Sequence, residues 1–220
     1  MGFTAKKLQD VEYYSKILKT LDVFDIGISN IKVSDVKSEL PGGMAKELKK
    51  IFEKTVGGKF EISSGPASIS TEHQVFDDSG EKVGYVDFNL ELNESEGTKK
   101  LIALSAPFID ALENSYILFL DELDARLHPV LSLQIINLFN CHQNNSGNAQ
   151  LVTATHNTNL LDKDVLRRDQ IWLTAKSSRG ESVLNSLAEY KVRNDASSMR
   201  RTICLGSMAV FLFLEISIVF

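Results

Sequence analysis

Three short stretches hold residues that could do chemistry together. The run Tyr116-Ile-Leu-Phe-Leu-Asp121-Glu122 ends in two adjacent carboxylates, Ser95-Glu-Gly97-Thr98 stands ahead of a long apolar segment, and His156 closes the stretch from Gln150 to Thr155. Neighbouring acids make a hard-oxygen pair suited to a divalent cation. A serine that opens a helix leaves backbone N–H groups that favour an anion such as phosphate, and a glycine there lets the anion come close. A histidine at a strand end can present a ring nitrogen to the same ligand. Each stretch also has a plainer reading: acids in a solvated turn, a capped helix, a histidine bonded to a neighbouring loop.

These residues depend on the elements around them. The unbroken apolar run before Asp121 reads as a strand buried on both faces, the habit of parallel sheets, with its acids at the C-terminal end where open α/β sheets place ligands. Burying two adjacent acids is costly, and a bound cation would offset it. Ser95 is placed to cap a helix that runs through Leu112 and ends at Asn114-Ser115, with Pro107 expected to kink or restart it. His128-Pro129 starts a further helix, Val130 to Phe139. Gln150 to Thr155, Gln170 to Thr174 and Ser182 to Leu187 read as strands, and Asn159 to Leu166 as a helical turn. This alternation predicts a three-layer α/β sandwich with parallel strands at its centre.

Upstream, apolar spacing predicts a helix over Thr4 to Thr20 and an extended piece through Ile26 to Val33. A Lys-rich helix over Met44 to Val56 follows Pro41-Gly42-Gly43. Its lysines read as a solvated face, with nucleic-acid contact as the alternative. Ile69 to Phe76 and Val83 to Leu90 form a hairpin about Asp77-Asp-Ser-Gly80, with His73 a strand surface residue.

The 220 residues suffice for one domain or a large piece of one, and 43% apolar with 24% charged residues is an ordinary globular composition. A net charge of −5 argues against a nucleic-acid surface spread over the whole molecule. Two cysteines, Cys141 and Cys204, without CxxC spacing, fit a reducing, cytoplasmic setting and offer no metal framework. Met1 to Leu8 lacks the apolar core of a signal peptide, and no apolar stretch reaches the ~20 residues of a membrane-spanning helix.

In this order the three stretches resemble the ABC-type and SMC/RecF-type ATPases. Ser95-Glu-Gly97-Thr98 is similar to a degenerate ABC signature, Asp121-Glu122 to a Walker B element, Leu123 to His128 to a D-loop, and Thr155-His156 to a switch histidine. The strings SEGTKKL, LDELDARLHP, THNTNLLD and RRDQIW look closest to the RloA-like, AAA-type ATPases of bacterial abortive-infection and phage-defence loci. The resemblance spans roughly Ile69 to Asp195. It implies a P-loop NTPase fold, ATP and Mg²⁺. Asp121 would hold the metal, usually through water, Glu122 would polarise the attacking water, and His156 would sense the γ-phosphate. Ser95, Gly97, Thr98 and His128 would contact nucleotide, with Ser95 and Gly97 reaching the nucleotide of a second subunit in a head-to-tail homodimer. Hydrolysis would then switch an attached, nuclease-like effector.

Two features depart from that family. The sequence contains no G-x-x-x-x-G-K-[ST], and the nearest string, Gly57-Gly58-Lys59-Phe60, has neither the hydroxyl residue nor a preceding apolar strand. The chain is therefore expected to be the C-terminal part of such an ATPase, binding ATP weakly or not at all when alone. The expected divisions are a helical and mixed region at 1–64, the ATPase half at 65–200, and an aberrant apolar tail at 201–220. Codons permitted for Ser207 onward, read in a shifted frame, yield Tyr-Gly-Gly-Phe-Pro-Phe-Leu, similar to the family's closing run. A frameshift near Thr202 is thus one reading of the tail, and a buried C-terminal strand is the other. For the whole chain, the alternatives to an ATPase are a P-loop-less assembly subunit and the remnant of a disrupted gene. Either way, core strands lost from the sheet would leave Ile117 and Phe119 bare.

Overall fold

The computed structural model describes residues 1–34, 68–157, 160, 165–177, 179–190 and the backbone of 209–214. It contains two compact units, Met1–Glu94 and Ser95–Phe220.

The first unit opens with two helices, α1 (Gly2–Lys7) and α2 (Val11–Val23), where the apolar spacing predicted one. The break has a local cause. The Asp10 carboxylate accepts the N–H groups of Glu12 at 2.9 Å and Tyr13 at 3.2 Å, which caps a new helix at that point. Strands β1 (Ile28–Ser34), β2 (Ser68–Phe76) and β3 (Lys82–Asn89) form an antiparallel sheet in that order. The predicted hairpin turn is held by Asp77, whose Oδ1 accepts from the Ser79 and Glu81 N–H groups, while Gly80 takes φ 84°. Lys32 on β1 bridges Glu72 on β2 and Asp87 on β3 at 2.8 and 2.7 Å. Ile17, Leu21, Phe24, Ile31 and Ile69 are buried in this unit's core. The short helix α3 (Leu90–Asn93) takes the last residue of the predicted second strand. The predicted Lys-rich helix over Met44 to Val56 lies outside the described residues.

The second unit holds α4 (Glu96–Asn114), β4 (Ile117–Leu120), α5 (Pro129–Asn140), β5 (Gln150–Thr155), β6 (Ile171–Lys176), β7 (Ser182–Ser186) and β8 (Ala209–Leu214). Most of the predicted helical turn from Asn159 to Leu166 lies outside the described residues. Helix α4 continues through Pro107 as one element, so the expected restart does not occur. Proline forfeits one backbone bond, whereas Leu101, Ile102, Phe108 and Ile109 are all buried along that helix. Phe108 meets Phe139 of α5 edge to face, with centroids 5.9 Å apart. The loop after α5 is tied by buried Asn145, whose amide donates to the carbonyls of Phe139 and Ala149 and accepts the Ala149 N–H.

The sheet order is β4-β5-β8-β6-β7. Among the described residues only β4 and β5 are parallel neighbours; β8 runs antiparallel to both β5 and β6, and β7 antiparallel to β6. The expected mostly parallel centre is therefore replaced by a mixed sheet, because residues 209–214 occupy the position between β5 and β6. The expected burial of β4 on both faces is not found either. Burial alternates along β5 and β6, with Leu151, Thr153, Ile171 and Leu173 buried and their neighbours partly exposed. Among the described residues one face of this sheet is thus more deeply buried than the other. On β4, an edge strand, Ile117 is 54% and Phe119 73% exposed.

Candidate functional site

The parallel pairing of β4 and β5 sets the site. Register aligns Leu118 with Leu151 and Leu120 with Thr153, so both strands end at the same edge. Asp121-Glu122 and His156 follow directly from those ends. The Leu123 N–H donates to the Ala154 carbonyl at 3.2 Å and fastens the loop after β4 to the end of β5. Asp121, Glu122 and His156 are all exposed. The cost of burying two acids, expected from the sequence, therefore does not arise, since β4 lies at the sheet edge and its loop faces solvent.

That loop is wound tightly. Glu122 has φ 48° and Arg126 φ 64°, both left-handed, a conformation that costs a non-glycine residue about 1–2 kcal/mol. Turns from Ala125 N–H to the Glu122 carbonyl (3.1 Å) and from Leu127 N–H to the Asp124 carbonyl (3.2 Å) hold it. Leu123 and Leu127 anchor it in the core. Asp124 Oδ1 is buried with no hydrogen-bond partner among the described residues. His128 ends the loop, and its Nδ1 accepts the Val130 N–H at 3.3 Å, capping α5 ahead of Pro129.

The start of α4 packs against the same loop. Ser95 caps the helix: its Oγ accepts the Thr98 N–H at 3.1 Å and lies 2.9 Å from Thr98 Oγ1. A Cβ added at Gly97 would sit 2.8 Å from the Arg126 carbonyl oxygen. Only glycine fits that approach, so Gly97 serves close packing of helix on loop as well as backbone access. Glu96 is held by Lys99 at 2.9 Å and by Arg126. The hydrogen bond and charge of Lys99, with Arg126 adding to them, hold the Glu96 carboxyl below its ordinary range. Lys100 Nζ donates to the carbonyls of Glu122 (2.6 Å), Leu123 (3.2 Å) and Ala125 (2.9 Å). Burial pushes the Lys100 amine down, against the opposing pull of Asp124 and Glu122.

The structure thus gathers all three predicted stretches about one loop. Sequence reasoning missed Lys100, Glu96 and Arg126; a lysine in the first turns of a helix looks like any solvated lysine until its carbonyl partners are seen. It also missed a contact in the first unit. His73, read as a strand surface residue, has its Nε2 2.6 Å from Glu94 Oε1, its ring lies against Phe88, and Glu94 bonds the buried Thr71 hydroxyl as well.

No group of three or more His, Cys, Asp or Glu among the described residues could enclose a metal ion. Asp121 and Glu122 are neighbouring, exposed carboxylates, the oxygen type that Mg²⁺ takes alongside water and phosphate. Among the described residues no helix is long and apolar enough to cross a membrane.

No curated protein matches the chain. No solved structure matches it either. One family model, described as "AAA domain, putative AbiEii toxin, Type IV TA system", matches residues 7–162, more than half of the chain. The match takes in the helix start, the acidic loop and His156. The chain belongs to this AAA-domain family of P-loop ATPases.

Proposed function

We propose that this chain supplies the acidic, signature-like and sensor elements of a Mg²⁺-dependent ATPase, and that the phosphate-cradling loop comes from polypeptide outside these residues. The observation that carries the reading is the common edge of β4 and β5, where the loop holding Asp121 and Glu122 is fastened to the residue before Thr155-His156. Asp121 would hold Mg²⁺, which would neutralise negative charge on the phosphate oxygens. Glu122 orients and polarises the attacking water, and His156 reads the γ-phosphate from the neighbouring strand. Ser95, Gly97 and Thr98 present the first N–H groups of α4, which carry the positive end of a 19-residue helix, to the phosphate of a partner's nucleotide. His128, at the far end of the loop, borders the same nucleotide. The resulting head-to-tail homodimer would act as a switch for a nuclease-like effector in RloA-like phage defence.

The missing G-x-x-x-x-G-K-[ST] supports a second arrangement, in which the chain is a P-loop-less assembly subunit that works in trans on a complete partner. One experiment addresses both. The chain is mixed with a P-loop-bearing homologue and ATP turnover is followed. Turnover that rises on mixing and drops by about 10²-fold or more with Glu122→Gln supports the assigned chemistry, a fall of the size that loss of a water-orienting group gives. Turnover indifferent to both the chain and the substitution rejects it.

A further inference from the structure

We propose that Lys100 is a positioning residue that locks the Ser95–Gly97 helix start to the Asp121–Glu122 loop, so that the segment facing a partner's nucleotide and the segment facing the chain's own move as one body. The proposal rests on the reading of those segments given above, but the lock itself is a property of the chain. An ammonium has three donor hydrogens, and three carbonyls, of Glu122, Leu123 and Ala125, converge on Lys100 Nζ at 2.6, 3.2 and 2.9 Å. One of those carbonyls belongs to Glu122 itself, held at φ 48°. Lys100 sits in the first turns of α4, directly after the residues that would meet phosphate. Gly97 against the Arg126 carbonyl closes the same two segments from the other side, and the Glu96–Arg126 ion pair beside it is solvent-exposed. A rotation of the helix start on engaging phosphate would therefore carry the Glu122 backbone with it, and occupancy at one segment would set the position of the water-activating carboxylate at the other.

Hydrogen exchange on the whole chain tests this in wild type, Lys100→Met, Lys100→Arg and Glu96→Gln. In Lys100→Met, exchange at the Ala125 and Leu127 amides should rise at least about tenfold, the scale of one lost charge-assisted hydrogen bond, and exchange over 96–100 should rise with it while β6 and β7 stay unchanged. Lys100→Arg should behave like Lys100→Met, because a planar fork cannot aim three N–H groups at carbonyls that converge on one point. Glu96→Gln, a surface change, should leave the loop protected. The lock is overturned if loop exchange in Lys100→Met is unaltered or rises equally everywhere, or if Lys100→Arg restores protection, which would make charge alone sufficient. Should Lys100→Met not fold, loss of loop protection in Glu96→Gln would assign the coupling to the Arg126 pair and overturn the lock. Mn²⁺-induced line broadening near Asp121 serves as the separate arm. Exchange that behaves as expected without such broadening retains the lock and discards the metal reading.

Discussion

At the scale of single residues, Gly97 carries the sharpest steric demand. Its neighbour at 2.8 Å is a backbone oxygen, which cannot swing aside as a side chain would. Gly97→Ala should cost about 1–3 kcal/mol, the range for overpacking, read as a lower urea midpoint with unchanged slope. Glu96 makes a pH-dependent prediction. Its folded-state pKa is depressed below the ordinary 4.5. Its contribution is therefore present above that ordinary value and fades as pH falls through the depressed one. The stability difference between wild type and Glu96→Gln should accordingly be present at neutral pH and vanish under strong acid, with a size kept small by solvent screening. The acids at the strand end, the capping serine and the strand-end histidine could all be found from residue type and spacing. Lys100 could not, because its role lies in carbonyls more than twenty residues downstream that no side-chain pattern encodes.

At the scale of elements, the strands and helices of the second unit were largely legible. Gln150–Thr155 forms as predicted, and Ser95 caps its helix. Two readings failed for physical reasons. The run before Asp121 is apolar enough for a doubly buried strand, but burial depends on what neighbours it, and among the described residues β4 has a neighbour on one side only. The direction of the tail strand was also hidden, since an apolar segment pairs parallel or antiparallel with equal ease. That strand, β8, joins β5 to β6, pairing through Val210 to Leu214 with β5 and through Ala209 to Leu212 with β6. Deleting residues 201–220 should separate them and abolish a single cooperative unfolding transition; unchanged cooperativity would show that the tail is dispensable to the sheet. Phe108→Ala, which removes the ring facing Phe139, should cost about 3–5 kcal/mol by the same denaturation.

At the scale of the whole molecule, β4 is an edge strand among the described residues and exposes apolar side chains. Ile117 and Phe119 expose most of their apolar surface there. Such an edge invites self-association. Phe119→Lys should shift the chain towards monomer in sedimentation, and an identical mass distribution for both proteins would contradict this. The family match and the shared edge of β4 and β5 together make a nucleotide site the central claim. Its most direct test is paramagnetic NMR with Mn²⁺ and ATP, which detects weak occupancy. Selective broadening of resonances at Asp121 to Leu123 and at Thr155 to Asn157 together, lost in Asp121→Asn, is the expected result. Broadening scattered over the surface carboxylates, or unchanged by Asp121→Asn, would contradict it.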